Sequence, residues 1–196
     1  AASDVYKRQM VKRVAGALGA ELQAVNLGDG FDAELAGTLR ALLNKHEVLF
    51  LRDQNIEPAA QKALAAIFGP LQTHPAYNTV EGLPEVMILE STPENPSKIE
   101  VWHSDMTFRQ HPPSVTVLRG ITIPEVGGDT LFASMTAAYD ALSSAMQRYL
   151  DGLVAVHDFS HGFKESLAEP GGRERLADAL TAVSYTHLRA HETQRY

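Results

Sequence analysis

Cysteine is missing altogether from the 196 residues, which excludes a disulfide framework, a thiolate metal site and a cysteine nucleophile. Positive charge is also in short supply. There are 17 Lys and Arg against 24 Asp and Glu, a net charge of -7, and that balance disfavours nucleic acid or an anionic membrane as partner. Long hydrophobic runs are absent as well. No window approaches the roughly 18 apolar residues of a membrane span, and no apolar segment behind a basic start suggests a signal peptide. Tryptophan occurs once, as Trp102. What remains is ordinary: 44% hydrophobic and 21% charged residues, the composition of a single soluble globular domain. A cytoplasmic protein is expected.

The two ends read unlike the rest. Residues 1–9, "AASDVYKRQ", and 184–196, "SYTHLRAHETQRY", continue no convincing apolar period. The second interrupts a good helical pattern, "RERLADALTAV". Both resemble conceptual translations of sequencing-adapter DNA, so residues 10–183 are expected to be the natural part and the ends to be non-native. On that expectation the chain is an N-terminal fragment. His187 and His191 stand four apart, as in helical zinc sites. The "LRA" between them lacks the glutamate of a hydrolase motif, and the pair carries little weight.

Between the ends, "KRVAGALGAELQAVNL" reads as a strand or hairpin. "FDAELAGTLRALLNKHE" reads as a helix capped by Asp32, with Leu35, Leu39, Leu42 and Leu43 at helical spacing. "VLFLRD" has the look of a buried strand. "EPAAQKALAAIFG" suits a second helix, begun by Pro58 and stopped at Gly69. "EVMILES", "SVTVLRGITI", "LFAS" and "LVAVHDF" are strand candidates, and "SMTAAYDALSSAMQRYLDG" a helix capped by Ser134 or Thr136. No repeat or linker divides the chain. The pattern predicts a β-rich α+β domain.

The chemistry concentrates in "VWHSDMTFRQHPP", residues 101–113. On an extended segment His103 and Asp105 face the same side. They would offer one imidazole nitrogen and one carboxylate oxygen, two of the three ligands of a 2-His-1-carboxylate iron site. A histidine hydrogen-bonded to a nearby aspartate at a strand end is the plainer account, and spacing alone does not choose between them. His111, beside Pro112 and Pro113, reads as a solvated loop histidine.

"WHSDMTF", then "PPSVTVLRG", "PEVGGDTLF" and "AAYDAL" closely resemble the taurine and 2,4-dichlorophenoxyacetate dioxygenase family, Fe(II)- and 2-oxoglutarate-dependent oxygenases. Upstream and downstream segments follow in the same order, so the resemblance covers nearly all of Lys12 to Phe163. It implies a double-stranded β-helix (jelly roll), incomplete at the C-terminus of this chain. It also implies that His103 and Asp105 are iron ligands, and that Thr130 of "GGDT" helps hold the 2-oxoglutarate carboxylate. Gly127 and Gly128 would let the backbone turn tightly there. His74 and Tyr77 match substrate-pocket positions, and an imidazole and a phenol can donate hydrogen bonds to an anion. Phe163 matches a pocket-wall aromatic, while Trp102 and Phe108 are expected to pack around the metal.

Two departures matter. Ile99 stands where the taurine branch has an asparagine that helps hold substrate, with Asn95 nearby in another register, so taurine itself is a poor fit. The family's third iron ligand, a histidine, and the arginine that pairs with 2-oxoglutarate belong far downstream. His187, His191, Arg189 and Arg195 fall too early to replace them. The resemblance implies a dioxygenase that hydroxylates a small anionic substrate, sulfonate-, sulfate-ester- or aryloxyacetate-like, using O₂ and releasing succinate and CO₂. The alternatives are a non-catalytic jelly-roll domain that binds an organic acid, and an inactive truncated fragment. Inactivity is expected of this chain taken alone. The oligomeric state, a homo-oligomer included, is left open.

Overall fold

A computed structural model describes residues 11–94, 96 and 101–187. Ile99 and Asn95, with Arg189, His191 and Arg195, lie outside the described residues.

The chain enters through a hairpin, β1 (Val11–Arg13) and β2 (Ala20–Leu22), whose turn carries Gly19 at φ +92°. Helix α1 (Ala33–His46) then crosses over to β3 (Leu49–Leu51), which pairs parallel with β2, Ala20 opposite Leu49. The expected cap is in place. Asp32 accepts the backbone N–H of Leu35 at 2.8 Å, and Lys45 complements the dipole at the other end. Helix α2 (Pro58–Ala66) starts on Pro58, whose missing N–H costs nothing in the first turn. Leu22, Val25, Leu27, Leu39, Ile56 and Leu64 bury themselves together between the sheet and these two helices.

A second pair of strands, β4 (Thr79–Val80) and β5 (Leu83–Met87), forms a hairpin. Further along the chain come α3 (Met135–Asp140), α4 (Ser144–Leu150) and β6 (Val154–Asp158). Short helices α5 (Phe159–Gly162), α6 (Lys164–Ala168) and α7 (Gly172–Arg175) follow, then β7 (Val183–His187), antiparallel to β6. A second core holds Phe108, Phe159, Leu167, Leu176 and Ala179. The class is α+β, with one three-stranded and two two-stranded sheets among the described residues.

Several expectations are corrected. Residues 114–123 and 131–134 form no strand. Burial nevertheless alternates strictly from 114 to 120, as the β-branched pattern demands. What is lacking is a hydrogen-bonded neighbour among the described residues, and a strand exists only in a ladder. The expected helix over 134–152 is two helices. Ser134 caps the first through the N–H of Ala137, and Ser143 accepts the N–H of Met146, starting a second where one was expected to continue. The helical pattern at 173–183 yields only α7 and a 3-10 turn, Ala177–Ala179. "VLFLRD" is half-buried rather than buried.

Candidate functional site

Residues 101–110 form no strand. Asp105 opens a turn that closes with the N–H of Arg109 on the carbonyl of Met106 at 2.9 Å, and Met106 takes a left-handed φ of +53°. The two side chains come together as their two-residue spacing suggested: Nε2 of His103 lies 3.3 Å from Oδ1 of Asp105.

The hydrogen bonding around this pair defines its chemistry. Nδ1 of His103 lies 2.9 Å from the carbonyl oxygen of Val101. A carbonyl can only accept, so Nδ1 carries the hydrogen, and in the neutral ring Nε2 presents a lone pair. That lone pair faces a carboxylate oxygen. Two acceptors so placed repel each other unless a proton or a cation lies between them. Two ligands about 2.1 Å from one divalent ion, at a right angle, sit about 3 Å apart. The pair therefore fits either a hydrogen-bonded ion pair or one edge of a metal's coordination shell. Its partner arrangement, ring N–H to backbone carbonyl, is the usual one for a metal-bound histidine. Among the described residues no third His, Asp or Glu completes a cluster.

His74 and Tyr77 come together as well, ring centroids 4.7 Å apart. His74 is boxed by Phe163 at 5.2 Å and by the edge of Phe108 at 6.2 Å. Burial, followed by the charge of Arg109, pushes the His74 pKa down to about 4, with Asp105 opposing the shift. Nδ1 accepts the N–H of Ala76 at 3.1 Å, which leaves Nε2–H as donor. Burial, then the charge of Asp105, raises the Tyr77 pKa, so the phenol keeps its proton. Both groups are thus neutral donors at pH 7, and both lie within the field of Asp105.

The low His74 pKa carries a stability consequence. The unfolded chain takes a proton near pH 6.5, while the folded chain resists until about pH 4. Stability from this group is therefore complete above pH 6.5 and is lost as pH falls toward 4. His74→Gln removes the titration, and its urea midpoint should fall less than the unsubstituted protein's between pH 7 and pH 5. Parallel midpoint curves for the two proteins would contradict the assignment.

The other expected residues fare differently. Thr130 is exposed, just past Gly127 and Gly128 at φ +81° and +71°, and no hydrogen bond joins it to His103 or Asp105. Trp102 does not pack around the pair, since it is 69% exposed. Phe108 is buried in the second core, stacked edge-on to Phe159 at 5.0 Å. Phe163 lies flat against Phe159 at 4.5 Å and also lines the His74 box. An open cleft of about 500 Å³, lined by Asp53, Gln54, Asn55, Arg119, Gly120 and Ile121, contains none of the expected residues.

Sequence reasoning missed three groups. Arg109 donates to Oε1 of Gln72 at 2.9 Å and to the carbonyl of Thr73 at 2.8 Å, and Gln72 donates to the carbonyl of His111 at 3.1 Å. These bonds lock the 72–77 loop to the 103–111 segment across more than 35 residues of chain. Phe159 floors the aromatic box. Thr116 donates to Oδ2 of Asp105 at 2.7 Å. For Arg109, the only local signal was a lone cation between Phe108 and a proline-bounded loop.

Comparison with known proteins gives the family. The family model for taurine catabolism dioxygenase TauD, TfdA family, matches residues 10–194. An alkylsulfatase of Acinetobacter baylyi is 30% identical over 178 residues, 89% of this chain and 56% of that protein. An alpha-ketoglutarate-dependent sulfate ester dioxygenase of Pseudomonas putida is 30% identical, covering 89% of this chain and 58% of its own length. The crystal structure of a taurine dioxygenase from Burkholderia xenovorans superposes with a TM-score of 0.70 at 33% identity, covering 91% of this chain and 57% of that one. The chain thus spans little more than half the length of these curated relatives. A match running from residue 10 to residue 194 shows that the chain belongs to the TauD/TfdA dioxygenase family.

Proposed function

We propose that the whole protein is an Fe(II)- and 2-oxoglutarate-dependent dioxygenase with a jelly-roll core, acting on a small organic acid that carries a sulfate ester, sulfonate or aryloxyacetate group. The observation that carries this is the His103–Asp105 pair, with its inner ring nitrogen tied to a backbone carbonyl and its outer nitrogen 3.3 Å from a carboxylate oxygen. One nitrogen and one oxygen of this kind suit Fe(II), and the proposed ligands are His103 Nε2 and Asp105 Oδ1. The family resemblance adds a downstream histidine as third ligand.

Iron held there would supply the oxidising chemistry, coupling the decarboxylation of 2-oxoglutarate to succinate with O₂-dependent oxygenation of a substrate C–H bond. The protein's part is to bind, orient and exclude water. Thr130 contributes a hydroxyl to the 2-oxoglutarate carboxylate. His74 Nε2–H and the Tyr77 hydroxyl donate to the anionic group of the substrate, and Phe163 walls its apolar part. Because both donors are neutral, they recognise the anion through directed hydrogen bonds. The nearby guanidinium of Arg109 is already engaged by Gln72 and Thr73.

The test is succinate formation by the whole protein with Fe(II), 2-oxoglutarate and O₂, offered an alkyl sulfate, taurine and an aryloxyacetate in turn. Substrate-dependent succinate is expected with at least one, and taurine should be the poorest because Ile99 lacks a hydrogen-bonding group. No stimulation by any of the three, together with no Fe(II) binding, would remove the proposal.

A further inference from the structure

We infer that Thr116 is a positioning residue that sets which oxygen of Asp105 is presented to the metal. The inference rests on the assignment of His103 and Asp105 as metal ligands.

A carboxylate has two equivalent oxygens and turns freely about its last bond. The Asp105 side chain is 46% exposed, so packing does not hold it. What holds it is one hydrogen bond: Oγ1 of Thr116 donates to Oδ2 at 2.7 Å. That is the length of a charge-assisted O–H···O⁻ bond, roughly twice as strong as a neutral one. With Oδ2 so engaged, Oδ1 is left facing Nε2 of His103. The arrangement favours one metal contact per carboxylate over two, keeping neighbouring positions open for other ligands.

Thr116 is itself well anchored. The next residue, Val117, packs against the first hydrophobic core, and its carbonyl accepts from Gln61 of α2 at 3.2 Å. Burial alternates through this segment, so Val117 points inward and Thr116 outward toward Asp105. The chain of contacts runs from the α2 core through Val117 to Thr116 and so to Asp105. An exposed ligand thereby acquires the rigidity of the core, which its own turn does not supply.

The test uses the whole protein with Co(II) as a spectroscopic stand-in for Fe(II). Thr116→Val keeps shape and loses the donor, while Thr116→Ser keeps the donor. Thr116→Val should weaken Co(II) binding about 10- to 100-fold, the usual cost of losing a group that orients a metal ligand. It should also alter the visible absorption of the bound ion and leave the thermal unfolding of the metal-free protein in place. Thr116→Ser should restore affinity and spectrum. Wild-type affinity and spectrum in Thr116→Val would overturn the inference, as would equal losses in both variants, which would indicate packing rather than the hydroxyl. His103→Ala separates the two levels of the argument. If the unsubstituted protein binds Co(II) no better than His103→Ala, the metal assignment fails and this inference with it. If only the Thr116 variants behave as wild type, the assignment stands and Thr116 has no part in it.

Discussion

Asp105→Ala in the whole protein should abolish Fe(II) binding at micromolar metal and reduce substrate-dependent succinate formation by more than about 100-fold. The magnitude follows from a comparison of roles. Removing a group that merely orients a metal ligand costs about 10- to 100-fold in affinity or activity, and Asp105 is proposed as a ligand itself, so its loss must exceed that range. Two features of the site sharpen the expectation. Asp105 is held by Thr116 and faces His103, so among the described residues its removal leaves the imidazole with no carboxylate beside it. It also removes the one charge that opposes the depression of the His74 pKa, so His74 should become still harder to protonate. Equilibrium dialysis against Fe(II) under anaerobic conditions reads the first effect, and succinate release reads the second. Asp105→Asn is the informative companion. It retains an oxygen able to accept from Thr116 but lacks the charge, and it should bind metal poorly while keeping the unfolding midpoint of the metal-free protein. Activity within tenfold of the unsubstituted protein in either variant would show that the pair is an ordinary ion pair.

How much of this was legible beforehand depended on the range of the interactions. The first helix was readable because its determinants are local: leucines three and four apart, and Asp32 one residue before the first turn. So were the hairpin and Pro58. The segment 114–123 was half readable. Its alternating side chains do alternate in burial, but pairing is a relation with another strand, and no residue inside the segment encodes where that strand is. The split between α3 and α4 was available in principle, since adjacent Ser143 and Ser144 in mid-pattern offer the backbone a cap in place of a continued helix. At the site, the two-residue spacing of His103 and Asp105 suggested convergence, and the two side chains do meet. A positive φ at Met106, a residue that seldom adopts one, could not be anticipated. The fastening of the 72–77 loop by Arg109 was invisible, because a guanidinium that reaches back 36 and 37 residues leaves no local trace. Trp102 misled through its neighbours: next to a proposed ligand in sequence, it points to solvent in space.

Phe159→Ala should cost about 3–5 kcal/mol of folding stability, the usual range for truncating a buried phenylalanine. Phe159 is 0% exposed, edge-on to Phe108 at 5.0 Å and stacked on Phe163 at 4.5 Å with only 14° between the rings. Its removal therefore leaves a cavity bounded by two rings that cannot both collapse into it. Phe163 is free to drop toward the void, and Phe108 is held by its place at the turn after Asp105. Total stabilities of about 5–15 kcal/mol make a loss of this size a large share of the whole, so urea unfolding followed by far-UV circular dichroism will register it clearly. A second consequence reaches the site. Phe108 and Phe163 are two walls of the box around His74, so a shift in either ring exposes the imidazole to water and relaxes the burial that depresses its pKa. The His74 pKa should rise from about 4 toward 6.5 in Phe159→Ala, measurable by NMR titration of the ring protons under conditions where the variant remains folded. Phe132→Ala provides the contrast. That ring is 44% exposed and lies edge-on to Phe50 at 6.2 Å, away from the His74 box, so its loss should cost about 1 kcal/mol or less and leave His74 where it is. Equal destabilisation by the two substitutions would mean that Phe159 does not occupy the centre of the second core. A large loss with an unmoved His74 would mean that the core and the 72–77 loop are mechanically separate.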